Sequence, residues 1–172
     1  TVLNVLGATL AGQGQLPQAV QVFDQMIQLK PNLAEVYINR GVALKKLGQL
    51  EAAAADYEKA IQLKLDLAET YIDRGNTLTE LGQLEVAAAN YEKAIQLKLD
   101  LAETYINRGN ALTELGQLEV AAANYEKVIQ LKPDSAEAYN NRGKALTELG
   151  RPEAAVESYG KAIELKPNLV EA

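Results

Sequence analysis

The chain has neither cysteine nor histidine among its 172 residues. Without thiols there can be no disulfide, no thiolate metal site and no nucleophilic sulfur. Without imidazole, the commonest acid/base group at neutral pH and the commonest metal ligand are both missing. Tryptophan is absent too, and one Phe and eight Tyr make up the aromatic complement. No apolar run approaches the roughly 20 residues that a membrane-spanning helix requires. Basic residues are in deficit, 17 Lys and Arg against 23 Asp and Glu, for a net charge of -6. Nucleic-acid binding draws most of its free energy from clustered cations, so it is disfavoured, and a charged partner is expected to be neutral or basic. Thr1 is followed by neither a basic n-region nor an apolar h-region, so no signal peptide is expected in these residues. The segment reads as part of a longer cytoplasmic protein.

What is present is repetition. The segment Ala34-Glu35-Val36-Tyr37 recurs in form at Ala68, Ala102 and Ala136, with a fixed spacing of 34 residues and no insertion. The frame divides the chain into units at 1-33, 34-67, 68-101, 102-135 and 136-169, with 170-172 starting a truncated sixth. A single array over 1-172 is the expected domain organisation. The third and fourth units differ at only five of 34 positions.

Within each unit the apolar residues fall at helical spacing, as in Tyr37, Leu44 and Leu47 and then Leu50, Ala53, Tyr57 and Ile61. Two amphipathic helices per unit follow. A glycine column (Gly14, Gly48, Gly82, Gly116, Gly150) separates them, where a residue free to adopt positive φ ends the first helix. Pro17 and Pro152 sit just after that turn, where a missing N-H matters little. Asn32, Asp66, Asp100, Asp134 and Asn168 each precede a Glu by three residues (Glu35, Glu69, Glu103, Glu137, Glu171). This spacing predicts capping boxes at the first helices.

These columns together resemble the tetratricopeptide repeat, and the resemblance covers the whole chain. Its pattern wants a large residue early in the first helix (Leu3, Tyr37, Tyr71, Tyr105, Tyr139) and a small one four later (Gly7, Gly41, Gly75, Gly109, Gly143). It then wants a small residue in the second helix (Ala19, Ala53, Ala87, Ala121, Ala155), an aromatic (Phe23, Tyr57, Tyr91, Tyr125, Tyr159) and an exit Pro. The small residues let backbones approach the rings, so the aromatics are assigned to the core. The fold so implied is all-α, a right-handed superhelical α-solenoid of antiparallel helix-turn-helix units. Two departures stand out. Leu65 and Leu99 replace the exit Pro, and Arg40, Arg74, Arg108 and Arg142 occupy a column where Leu is usual. These arginines are expected to pack by their stems and send their heads to carboxylates or carbonyls; a ligand-binding arginine ladder is the alternative.

The resemblance further implies that first helices line a concave groove taking an extended peptide or a partner helix. By column, Ile38, Asn39 and Lys45 from the second unit enter that groove, with Ile72, Asp73, Asn76 and Glu80 from the third. The fourth contributes Ile106, Asn107, Asn110 and Glu114, and the fifth Asn140, Asn141 and Lys144. Asn39, Asn107 and Asn141, with Asp73 among them, are similar to the asparagine ladder of the repeat arm of O-linked N-acetylglucosamine transferases. Such amides can pair with a peptide backbone, or be merely solvated or bonded within their helix. The Ile column is an apolar stripe or a half-buried junction. The third and fourth units carry net charges of -3 and -2 while the other full units are neutral. Asp73, Glu80 and Glu114 should therefore favour a basic or neutral segment. A carboxylate clamp would need Lys and Arg where Glu69, Ile72, Asp73 and Glu103 stand, so that mode is set aside.

Catalysis has little support. Gly7 to Gly14 lacks the Gly-Lys-Ser/Thr ending of a phosphate loop, and Ser135 and Ser158 have no His to activate them. No cofactor, metal or catalytic residue is expected. The leading expectation is a non-catalytic protein-interaction scaffold. The alternatives are a module that self-assembles head to tail through uncapped ends, forming a homo-oligomer, and a substrate-recruiting arm of a larger enzyme.

Overall fold

The computed structural model describes residues 2-64, 66-98 and 100-167. Ten α-helices and no strand occur among them: α1 (Val2–Gly12), α2 (Leu16–Leu29), α3 (Ala34–Lys46), α4 (Leu50–Leu63), α5 (Ala68–Glu80), α6 (Leu84–Leu97), α7 (Ala102–Glu114), α8 (Leu118–Leu131), α9 (Ala136–Glu148) and α10 (Pro152–Leu165). They are gathered into two compact units, Thr1–Gln83 and Leu84–Ala172. In the first, α1 packs on α2, α2 on α3, α3 on α4 and α4 on α5. The second repeats this order from α6 to α10. In each, two first helices also touch directly, α1 with α3 and α7 with α9.

The glycine column ends the first helices as expected. Gly14, Gly48, Gly82, Gly116 and Gly150 have φ between 69° and 77°. The left-handed residue turns the chain so that Gln49 N donates to Leu44 O at 2.9 Å and Gly48 N to Lys45 O at 2.9 Å, the paired bonds of a Schellman ending. Pro17 and Pro152 lie in the first turn of α2 and α10.

The helix starts differ from expectation. α3, α5 and α7 begin one residue later than a capping box requires, so the N-cap positions fall to Leu33, Leu67 and Leu101, which have no polar side chain to offer. Only in α9 does a polar residue hold the position, and Ser135 Oγ accepts from Ala138 N at 3.3 Å. The Glu of each predicted box stands in the first turn, where its charge still suits the helix dipole. Leu65, Leu99, Asn168, Glu171 and the start of the sixth unit lie outside the described residues.

Ring-against-glycine contacts build the core. A Cβ on Gly7 would stand 2.5 Å from the Phe23 ring, one on Gly41 2.9 Å from Tyr57, one on Gly109 2.6 Å from Tyr125 and one on Gly143 2.7 Å from Tyr159. Hydrogen in place of a methyl group thus sets the distance between paired helices. Phe23, Tyr57 and Tyr125 are buried with the alanines of their own helices. Fully burying one such ring contributes roughly 1.5–3 kcal/mol. Around them Ala19, Phe23, Met26 and Val36 form one cluster and Ala88, Ala111, Leu112, Ala121, Tyr125 and Ala145 another.

Candidate functional site

The arginine column is bound to the fold. Arg40 on α3 reaches Asp24 on α2 at 2.5 Å and grips Asp56 on α4 through Nε at 2.7 Å and Nη2 at 2.6 Å. Arg74 pairs with Glu58 and Arg108 with Glu92, each at 3.0 Å, and Arg142 with Glu126 at 3.1 Å. Every acid lies 16 residues before its arginine. Sixteen residues after stands a polar side chain on the following second helix: Asp56 for Arg40, Asn124 for Arg108 and Ser158 for Arg142. These residues and Asn90 are buried. Asn90, Asn124 and Ser158 also bond the carbonyl four residues back. Hydrogen bonds from Asp56, against the opposing effect of burial, hold the Arg40 guanidinium above its ordinary pKa. Each arginine thus ties a first helix to the second helices on either side, and the sequence reading missed the buried polar residue at plus 16. Its signal was there, a polar side chain at that offset in every unit.

In the N-terminal unit, α3 and α5 place Lys45 and Glu80 in an ion pair at 2.9 Å. Asp73 and Glu80 are seven apart, two turns along one face of α5. Asp73 is half-buried, and desolvation raises its carboxyl pKa despite the attraction of Lys45. Asn39 donates to Asn4 Oδ1 at 3.1 Å, and Asn4 donates to Glu35 at 2.7 Å. Asn4 was not foreseen, because the repeat aligns it with the isoleucine column. Ile38 and Ile72 are half-buried, as is Asn76.

The densest polar cluster is in the C-terminal unit. Asn110, Thr113 and Glu114 share one face of α7 at spacings of three and four, and Asn141 and Lys144 share the facing stripe of α9. With Tyr125 they line a cavity of about 210 Å³. Asn110 Oδ1 accepts two bonds, from Asn141 Nδ2 at 3.1 Å and from the Tyr125 hydroxyl at 2.8 Å. Thr113 Oγ1 lies 3.1 Å from the same hydroxyl. Asn140 Nδ2 approaches Asn141 Oδ1 at 3.5 Å. Burial raises the Tyr125 pKa, so the phenol stays a donor at neutral pH. With its oxygen doubly engaged, Asn110 has its amide hydrogens left for an acceptor in the cavity. Tyr125 belongs to the core, as its column implied, yet its hydroxyl orders this cluster. The amide pairing also differs from the expected single column: Asn141 bonds Asn110 rather than Asn107. Ile106 is half-buried and packs beside Val128 and Ala138.

Among the described residues no group of three or more His, Cys, Asp or Glu is placed to hold a metal. No helix among them is long and apolar enough to cross a membrane.

Comparison with known proteins agrees with this architecture. A search of curated proteins returns no match. Among solved structures, that of MamA protein superposes with a TM-score of 0.91 at 24% identity, covering 99% of this chain and 93% of the other. YrrB, a TPR protein with an unusual peptide-binding site, gives 0.89 at 23% identity, over 96% and 86%. MamA from Desulfovibrio magneticus RS-1, from residue 41 to its end, gives 0.85 at 20% identity, over 97% and 94%. At such identities the likeness establishes the fold, a helical-repeat solenoid. Models of the family described as TPR repeat match residues 75–114 and 109–150, and models described as tetratricopeptide repeat match 6–68 and 136–169. With glycine turns, ring-on-glycine packing and a 34-residue register recurring along nearly all its length, this chain belongs to the tetratricopeptide repeat family.

Proposed function

We propose that the protein is a non-catalytic interaction scaffold that binds an extended segment of a partner protein along its first helices, with Asn110, Asn141, Glu114 and Lys144 at the centre of the contact. The observation that carries this reading is the Tyr125–Asn110–Asn141 network. Two side-chain amides are fixed before any ligand arrives, so they lose little freedom on binding. Asn110 offers a donor suited to a backbone carbonyl, and the cavity it lines is open and too small for a cofactor. In the N-terminal unit, Asp73 and Glu80 add acidity that favours a neutral or basic segment, tempered by the Lys45 pair on Glu80. The fold shared with YrrB is consistent with this reading, and the family's interaction role lends it support.

Short unstructured peptides of graded charge, titrated against the chain by fluorescence anisotropy, test it. Asn141→Ala should weaken the tightest peptide about five- to tenfold, the equivalent of roughly one hydrogen bond, with the melting temperature little changed. Binding that is indifferent to Asn141 and strongest for acidic peptides would overturn the proposal.

A further inference from the structure

One exposed apolar surface is not used by that reading. Val2, Val5 and Leu6 of α1 are 85%, 66% and 45% exposed, and with Thr9 they line a concavity of about 580 Å³. One period later, the equivalent of Val2 is Val36, which is 1% exposed and clustered with Phe23 and Met26 of α2. The face is therefore the one by which a first helix normally seats on a second helix. α10 carries the complementary surface. Val156 and Ile163 are 70% and 45% exposed, whereas one period earlier Ala122 and Ile129 of α8 pack in clusters that include Ala145 and Ala138 of α9.

We infer that α1 docks on α10 of a second copy of this chain, continuing between molecules the interface that recurs within them. The ionic column identifies the partner. At each internal junction described above an arginine meets an acid 16 residues earlier, in the pairs Arg40–Asp24, Arg74–Glu58, Arg108–Glu92 and Arg142–Glu126. At the arginine position α1 has Leu6, and at the acid position α10 has Gly160, beside which an added Cβ meets nothing within 4 Å. Both halves of the ion pair are missing together. An ordinary first helix laid on α10 would desolvate an arginine opposite Gly160, whereas α1 brings an aliphatic side chain and no charged residue at all. Such a contact is heterologous, joining different surfaces of two molecules, so it adds copies in open chains.

Sedimentation equilibrium and light scattering on the 172-residue chain over a concentration series test this. The mean mass should climb progressively and respond little to added salt, since the contact contains no ion pair. Leu6→Arg and Gly160→Glu should each move association to concentrations at least about tenfold higher. An equimolar mixture of the two variants should recover pairing, because one junction then regains the internal Arg–acid pair. Val5→Glu, at a position outside the core, gives an independent disruption with helix content unchanged. A monomer throughout, a closed dimer that does not grow, variants that associate like the parent, or a mixture no better than its components would each overturn the inference.

Discussion

Gly109→Ala joins core geometry to the polar cluster in one substitution. In the middle of α7, alanine is favoured over glycine by about 1 kcal/mol through backbone entropy. Against that, the new methyl group would stand 2.6 Å from one Tyr125 ring carbon and 2.9 Å from another. Ordinary contact between carbons begins near 3.5 Å, so ring and helix must separate by about 1 Å. Tyr125 is 1% exposed and packed against Ala121 and Leu112, which leaves the ring nowhere to swing. Overpacking of this kind costs about 1–3 kcal/mol, so the net change expected is a destabilisation of about 1–2 kcal/mol. The same displacement pulls the hydroxyl away from Asn110, so peptide affinity should fall alongside stability. Gly160→Ala is the control, because no atom lies within 4 Å of its added Cβ and only the propensity gain remains. Urea unfolding of both variants followed by circular dichroism measures the contrast. Should Gly109→Ala stabilise the protein as much as Gly160→Ala does, the account of glycine as a spacer for the ring is wrong.

Two further outcomes follow from the charged groups. Arg40→Ala leaves buried Asp56 without its cation and should destabilise by about 3–4 kcal/mol, whereas Asp56→Asn, the residue found one period later, should lower urea resistance far less. Asp73, with its carboxyl pKa raised by burial, favours folding when protonated. That contribution is complete below the ordinary value of 3.8 and is lost as pH rises through the higher folded value. Asp73→Asn should therefore raise the thermal midpoint at neutral pH and match the parent near pH 3.8; a variant less stable at pH 7 would contradict the assignment.

The architecture could be read from the sequence because its determinants are local and occur five times. Glycines 34 apart each demanded a left-handed turn, and each small-residue column required an aromatic partner. The capping boxes misled because Asn32, Asp66 and Asp100 fit the motif by spacing alone, while the helices open one residue later with leucine at the cap. The binding cluster was legible column by column but not pair by pair. Asn110 and Asn141 stand in different columns and meet only because α7 and α9 are in contact, and Asn4 was hidden by its alignment with isoleucines. The arginines were read correctly as structural, but their second partner was overlooked. A buried Asn or Ser in an otherwise apolar helix face looks like a surface position until its donor is seen.

The arginine ties also bear on how arrays of this kind change length. Both partners of each arginine lie 16 residues away, less than half a period, and the acid before and the polar group after are of the same chemical kind in each unit. Removing or copying any 34-residue stretch within the array therefore returns every buried guanidinium to an acid on one side and a hydrogen-bonding side chain on the other. Unequal recombination between near-identical units, such as the third and fourth, would leave no orphaned charge behind. The gene could gain or lose repeats without passing through an intermediate that fails to fold.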